Sequence, residues 1–296
     1  MQITNNLNND ISAAPEWFNQ AINIKPSEKI LESEKGPLSY SIWPTQSKNK
    51  NLLIFIHGTG AHKKWWYPIA PQFINYSNVI AIDLPGMGDS GFRQKYSIKD
   101  FGQCVISIIE KEQSNLDIDN IFIVGHSLGG QVAGYVASEE KELVSNLIMI
   151  DTFIRPPDWD PSQNEGGPLR MIKYYSDKTT ILKRFRLLPQ QECENEWFVR
   201  YIAEHSVKQT EEGWRWKIDD SMFNSLERLF GYKFSFGCPA LFIHGADSLL
   251  MSANILDNIK KTYSDIMDFN EVKGAAHHVP LDKPLEIVDI IKKRLF

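Results

Sequence analysis

Five short, unbroken apolar runs organise the middle and the end of the chain. They cover residues 52–56, 79–82, 121–124, 147–150 and 240–243. Continuous apolar runs of this length are typical of strands that are covered on both faces of a sheet. Helical patterns lie between most of them, and strand–helix alternation predicts a mostly parallel sheet flanked by helices.

Helical and hairpin patterns surround these runs. Ser97 and Asp100 predict a capped helix start, with a buried stripe from Ile98 to Ile109. A final helix is expected around residues 284–295, with Asp282 able to cap it. Residues 30–33 and 38–43, separated by a glycine–proline turn, predict a hairpin at a sheet edge. The last strand before the final helix is expected near residues 266–272.

The alternation is interrupted between residues 152 and 237. This stretch contains half of the eight tryptophans, and it is too long and too aromatic for a loop: Trp159, Trp197, Trp214 and Trp216. We interpret it as a largely helical cap. The expected organisation is an N-terminal extension (1–36), a first part of the core (37–151), the cap (152–237) and a second part of the core (238–296). Residues 1 to about 14 are expected to be disordered, and a short helix follows them.

Composition narrows the possible partners. A net charge of −5 without a long basic run gives no electrostatic surface for nucleic acid or an anionic membrane. Lys63 and Lys64 are expected to lie on a solvated face. Three widely separated cysteines suggest neither disulfides nor a thiolate metal site. With no predicted signal peptide or membrane span, we expect a cytoplasmic protein without stable membrane association.

One serine lies between glycines at the end of an apolar run. Gly125-His126-Ser127-Leu128-Gly129 fits the G-x-S-x-G pattern of a nucleophile elbow, in which a strand turns sharply into a helix. The run before it predicts the strand, and apolar residues at helical spacing follow it. Ser127 is therefore the candidate nucleophile.

A serine hydroxyl needs an adjacent base, oriented by a carboxylate. His277 is the preferred base because it lies in a small-residue loop after the predicted last strand, and His278 is its competitor. Asp247, after the run 240–243, is the preferred carboxylate. Asp151 ends the preceding run and is the alternative. All of these are expected at the carboxyl edge of the sheet.

Acyl transfer also needs donors for a developing oxyanion. The amide of Leu128 is one candidate. Thr59, and then Gly60, from the glycine-rich loop after the first run, are candidates for the other. His57 is expected to brace this loop and His126 to pack beside the elbow. Two carboxylates, Asp83 and Asp89, occur together, but no neighbouring histidine or cysteine completes a metal-ligand set, so they are interpreted as structural.

Together these segments resemble the α/β-hydrolase fold superfamily, from about residue 38 to residue 296. The similarity lies in four motifs: His57-Gly58-Thr59-Gly60, Asp83-Leu84-Pro85-Gly86-Met87-Gly88-Asp89-Ser90, Gly125-His126-Ser127-Leu128-Gly129-Gly130 and Gly274-Ala275-Ala276-His277. The resemblance implies an eight-stranded, mostly parallel sheet with an inserted cap, and a Ser-His-Asp triad that uses neither cofactor nor metal. Trp65, Trp66 and His126 are then expected at the substrate. One departure is that Ser248 occupies the family's usual acid position.

The sequence therefore favours a serine hydrolase that cleaves a small or medium apolar or aromatic ester, lactone or thioester through an acyl-enzyme. The same residues also serve carbon–carbon bond hydrolases, lyases and perhydrolases. A non-catalytic ligand receptor on the same fold is the alternative from another class. Small-molecule substrates are expected in each enzymatic case.

Overall fold

The computed structural model describes residues 13–155 and 172–296. Its strands are β1 Ser27–Leu31, β2 Leu38–Trp43, β3 Asn51–Ile56, β4 Asn78–Ile82, β5 Tyr96–Ser97, β6 Asn120–His126, β7 Asn146–Ile150, β8 Val207–Thr210, β9 Gly213–Trp216, β10 Leu226–Glu227, β11 Ala240–Gly245 and β12 Asp268–Val272. Its helices are α1 Glu16–Asn23, α2 Ile98–Gln113, α3 Leu128–Glu139, α4 Lys178–Leu182, α5 Glu196–His205, α6 Met222–Ser225, α7 Ala253–Tyr263, α8 Val279–Asp282 and α9 Pro284–Leu295. Within these ranges no helix has both the length and the apolarity that a membrane span requires.

Eight of the strands form one sheet in the order β1-β2-β4-β3-β6-β7-β11-β12. The β1–β2 and β2–β4 pairs are antiparallel, and the pairs from β4 to β12 are parallel. The predicted edge hairpin and the fold class, an α/β protein with a mostly parallel eight-stranded sheet, are confirmed. Parallel pairing brings the carboxyl ends of β3, β6, β7, β11 and β12 to the same edge.

Both faces of the sheet are buried, which explains the unbroken apolar runs. In β3, Leu52, Ile54 and Ile56 face the helices α2 and α3. The alternate residues Leu53 and Phe55 face the opposite layer, which holds α9 and the segment 66–74. Ser97 caps α2 as predicted, because its Oγ accepts a hydrogen bond from the Asp100 amide at 2.9 Å.

The described part of the insertion, residues 172–237, contains α4, α5 and α6 and also an antiparallel hairpin, β8–β9. The hairpin was not predicted, although its signal is present: Trp214 and Trp216 alternate with Arg215 after a Glu-Glu-Gly turn. Trp159 lies outside the described residues.

Most cap aromatics pack against one another. Trp197 stacks on Phe198 with ring centroids 5.7 Å apart. Phe18 of α1 packs edge-on against Trp197 at 4.5 Å. The N-terminal helix therefore lies on the cap and contributes to its core. The residues before it, 1–12, for which disorder was predicted, lie outside the described residues.

Lys63 is buried, which corrects the expectation of a solvated face. It is 3% exposed. Its Nζ lies 3.0 Å from Glu28 and 3.5 Å from Asp83, and it donates to Ser39 Oγ. A buried ammonium requires such partners because desolvation disfavours the charge. The ion cluster joins β1 and β2 to the loop after β4.

Candidate active site

Ser127 lies in a strained turn between β6 and α3. Its φ of 54° and ψ of −118° are rare for a residue with a side chain. Its amide donates to the Ile150 carbonyl of neighbouring β7 at 2.9 Å, which holds the turn in place. The side chain is partly exposed, whereas the residues on either side are buried. This is the geometry that the sequence motif predicts.

The motif's glycines allow α3 to lie directly against the sheet. A Cβ on Gly129 would overlap the backbone carbonyls of Ile56 and His57, and a Cβ on Gly125 would overlap the Gly129 backbone. A Cβ on Gly58 would be 3.2 Å from the Ser127 Cβ. The loop after β3 therefore lies beside the serine.

His277 is paired with Asp151. Its Nδ1 lies 2.7 Å from Asp151 Oδ1, and both side chains are buried. The carboxylate is held by two further donors: the Gly245 amide at 2.9 Å and the Ser248 hydroxyl at 2.7 Å. Donation from Nδ1–H to the carboxylate leaves Nε2 without a proton, free to accept one.

The preference for Asp247 as the partner of His277 is corrected by this pairing. Asp247 is exposed in the turn after β11, and its amide donates to the Ala275 carbonyl at 2.9 Å. The next residue, Ser248, faces inward instead. Because β7 and β11 are adjacent and parallel, residues after either strand can reach the same point, and Asp151 occupies it.

The candidate oxyanion donors lie on either side of Ser127. Within the described residues, the amides of Thr59 and Leu128 have no hydrogen-bond acceptor. The Gly60 amide is 3.2 Å from Met87 Sδ, so it is already occupied. This favours Thr59 over Gly60 as the donor from the loop.

Two buried histidines, His126 and His278, surround the pair. His126 Nε2 contacts the His277 carbonyl at 2.9 Å, so it helps to fix the loop that carries His277. Burial, together with the neighbouring His277, lowers the pKa of His126 to about 3. Burial also lowers the pKa of His278 well below its usual value, again helped by neighbouring His277. Both rings are therefore neutral at physiological pH.

These two histidines and His277 form the one group of metal-ligand type within residues 13–155 and 172–296. Ring nitrogens of His126, His277 and His278 lie within 4.8 Å of one another. However, His277 Nδ1 is bonded to Asp151 and His126 Nε2 to a carbonyl. A metal held by the remaining nitrogens would take His277 away from proton transfer.

Trp65 and Trp66 are both buried. Trp66 is 2% exposed and stacks on Phe55, with ring centroids 4.7 Å apart. Trp65 packs against His278 at 5.4 Å. The two indoles border a small void of about 10 Å³ beside Gly58 and His126. The expectation that Trp66 contacts substrate is corrected by this packing, because its ring is part of the core.

His57 and the two aspartates of the second motif have structural contacts. His57 Nε2 accepts from the Leu84 amide at 3.0 Å, which confirms that it braces the loop. Asp83 accepts from the amides of Lys63 and Asp89 at 2.6 and 2.9 Å. Asp89 pairs with Lys217 of the cap at 2.6 Å.

The cap is tied to the loop of His277 through Gln191. Its Oε1 accepts from the His278 amide at 2.9 Å, and its Nε2 donates to Asp282. Asp282 in turn accepts from the Ala276 amide at 2.9 Å. The sequence suggested that Asp282 caps α9, but its carboxylate makes these contacts instead, and α9 has no side-chain cap. Neither Gln191 nor the role of Ser248 was predicted from the sequence. The one signal for Ser248 was that a serine occupies the position where the family usually has its acid.

The fold and this arrangement define the class of protein. The family model of the alpha/beta hydrolase fold matches residues 51–284, so the chain belongs to this family. A Haemophilus influenzae protein named as an esterase/lipase is 25% identical over 251 residues, covering 84% of this chain and 85% of that protein. The sn-1-specific diacylglycerol lipase ABHD11 of Danio rerio is 24% identical over 276 residues, covering 90% and 84%. Among solved structures, a thioesterase domain from the curacin biosynthetic pathway superposes with a TM-score of 0.73 at 22% identity, covering 90% of this chain and 99% of that one.

Proposed function

We propose that the chain is a serine hydrolase that cleaves carboxylic esters through an acyl-enzyme on Ser127. The observation that supports this most directly is the buried 2.7 Å bond between His277 Nδ1 and Asp151, at the same sheet edge as the strained turn of Ser127. The esterase and lipase names of its relatives agree with it. The proposal includes a small-molecule substrate and, since its cysteines are few and separated, a cytoplasmic location.

In the first half-reaction, Ser127 Oγ attacks the ester carbonyl carbon while His277 Nε2 takes the hydroxyl proton. The amides of Leu128 and Thr59 stabilise the negative oxygen of the tetrahedral intermediate. His277 then returns the proton to the leaving alcohol as the carbon–oxygen bond breaks. In the second half-reaction, water replaces the alcohol and the acid is released. The Asp151 carboxylate stabilises the imidazolium in both halves.

The test combines a fluorophosphonate label with hydrolysis of p-nitrophenyl butyrate. The parent protein should be labelled once and should release p-nitrophenol. Ser127→Ala should lose both properties, whereas Ser114→Ala, which changes an exposed serine at the end of α2, should keep both. Label or turnover that persists in Ser127→Ala would contradict the assignment of the nucleophile.

A further inference from the structure

A cavity of about 190 Å³ lies between the loop after β3 and the cap. Gly60 forms part of its wall, and the adjacent residues Thr59 and Gly58 lead to Ser127. His62 of the same loop, Ser206 after α5 and two cap segments, 184–188 and 216–223, form the other walls. The volume equals roughly six water molecules at ~30 Å³ each. It is sufficient for a short chain with a terminal group.

The lining combines an apolar surface with an excess of positive charge. Its apolar part consists of Phe185, Leu188, Trp216, Ile218 and Phe223. Its cations are Arg184, Arg186 and Lys217, and Asp220 is the single carboxylate among the described lining residues. A neutral apolar ligand would not need three cations at this position.

Arg186 has the donors needed for an anion. Both of its hydrogen bonds within the described residues come from Nη1, to the carbonyls of Lys183 at 3.1 Å and Phe185 at 2.5 Å. These bonds orient the guanidinium. They leave Nε–H and Nη2–H, two parallel donors that match a carboxylate or phosphate in a bidentate pair.

The other two cations differ in their availability. The side chain of Arg184 is exposed and has no hydrogen bond or ion pair with a residue in the described ranges. Lys217 is held by Asp89 at 2.6 Å, so its charge is largely compensated. The free positive charge of the cavity therefore comes from the two arginines of one short segment after α4.

We propose that this cavity binds an anionic group, a carboxylate or a phosphate, carried by the ester substrate at a distance from the carbonyl that Ser127 attacks. Arg186 is its bidentate partner and Arg184 its second cation. The apolar side chains contact the chain between the anion and the ester. This inference rests on the proposed ester hydrolase function and specifies its substrate class.

The test compares two esters of matched length, the mono-4-nitrophenyl ester of adipic acid and 4-nitrophenyl heptanoate. The ratio of kcat/KM for the anionic ester to that for the neutral ester should fall at least tenfold in Arg186→Gln and in Arg184→Gln. Lys183→Gln is the matched control, because Lys183 is an exposed cation in the same segment that does not line the cavity, and it should leave the ratio unchanged. An unchanged ratio in both arginine variants, with this pair of esters and also with the thioester pair described next, would overturn the proposal, as would an equal fall in the lysine variant.

A second pair of substrates identifies the source of the anion. Thioesters of one acyl group with 4′-phosphopantetheine and with pantetheine differ by one phosphate in the leaving group. If the arginine substitutions lower the ratio of kcat/KM (anionic to neutral substrate) only for the thioester pair, the anion is a phosphate of the leaving group. If they lower it only for the adipate and heptanoate pair, the anion is the carboxylate of the acyl group. Both results support an anion site.

Binding separates this inference from the proposed function. Adipate should bind to Ser127→Ala in calorimetry, and Arg186→Gln on that background should weaken the binding at least tenfold, whether or not any ester is turned over. If the parent hydrolyses both esters but shows no adipate binding and no arginine dependence, only the anion site is disproved. If the parent binds adipate but hydrolyses no ester and takes no label, only the ester hydrolase function is disproved.

Discussion

At the scale of single residues, the carboxylate is the decisive feature of the site. Asp151 is fully buried and is held by three donors, from His277, Ser248 and Gly245. It also has a positive φ, 43°, which turns its side chain across the sheet edge toward the loop of His277. Asp247, by contrast, is exposed to solvent.

The two aspartates should therefore differ in their effect on catalysis. We expect Asp151→Asn to lower kcat by about 10⁴, because loss of the carboxylate leaves the histidine in the wrong tautomer. Asp247→Asn should change kcat less than about twofold, a bound set by the small effect expected of surface substitutions. Steady-state hydrolysis of p-nitrophenyl butyrate measures both. Losses of similar size in the two variants would mean that Asp151 does not orient His277.

Ser248 should be able to exchange roles with Asp151. Its Oγ is 2.7 Å from Asp151 Oδ1, so a carboxylate at position 248 would lie close to the present one. Asp151→Ser alone should be nearly inactive. The double variant Asp151→Ser with Ser248→Asp should recover at least tenfold in kcat, since it rebuilds the same hydrogen bonds from the neighbouring strand. A folded double variant, judged by near-ultraviolet circular dichroism, that stays as inactive as the single variant would refute the exchange.

At the scale of elements, α3 can lie directly against the sheet because its first turn contains two glycines, Gly129 and Gly130. Gly129 contacts the carbonyls of Ile56 and His57, which belong to backbone and cannot move away without disturbing β3. Farther along the same helix, Gly134 faces the ends of the Phe234 and Met149 side chains, where a Cβ would be at 3.0 and 3.2 Å. Side-chain ends can shift by a few tenths of an ångström.

Alanine substitution at these two glycines should have different consequences. A Cβ this close to backbone atoms should cost about 3 kcal/mol, the upper end of the usual overpacking cost, and helix propensity returns only ~1 kcal/mol of it. Gly129→Ala should therefore lower the free energy of unfolding by about 2 kcal/mol in urea titrations and also reduce turnover. Gly134→Ala is the control and should stay within about 1 kcal/mol of the parent. Equal losses at the two positions would contradict the close contact of α3 with β3.

At the scale of the whole molecule, folding places several histidines in neutral, buried positions. Burial lowers the pKa of His57 to about 4, although the hydrogen bond between its Nδ1 and the accepting Gly58 carbonyl acts in the opposite direction, and burial lowers the pKa of His126 to about 3. In the unfolded chain a histidine titrates near 6.5. Between pH 6.5 and 4 the unfolded state therefore binds more protons at these positions than the folded state.

Stability should accordingly be complete above pH 6.5 and should fall as the pH drops toward 4. The expected decrease is about 1.4 kcal/mol per pH unit for each such histidine. Asp83 partly offsets this decrease below pH 6. Burial raises its pKa to about 6 despite the nearby charge of Lys63, so at this pH the folded state binds one more proton at Asp83 than the unfolded state does. Urea unfolding at several pH values gives the slope of the free energy of unfolding against pH. His57→Gln should reduce that slope by about 1.4 kcal/mol per pH unit, the contribution of one proton. A free energy of unfolding that stays constant or rises from pH 6.5 to 5 would contradict these neutral histidines.

Much of the molecule follows from its sequence alone. The five apolar runs determined the central strands, because a strand covered on both faces has no polar positions. The spacing of glycines around Ser127 determined the elbow, because only residues without a Cβ allow strand, turn and helix to approach so closely. These features are local, so a pattern of neighbouring residues is enough to predict them.

The choice between Asp151 and Asp247 was decided only by the tertiary structure. Both aspartates follow strands that end at the same sheet edge, and which carboxylate reaches His277 depends on the register of β7 against β11 and on the inward turn at Ser248. The burial of Lys63, the link from Gln191 to the His277 loop and the arginine-lined cavity likewise join segments far apart in the chain. Sequence order carries little information about such contacts, because they arise only when the cap and the core pack together.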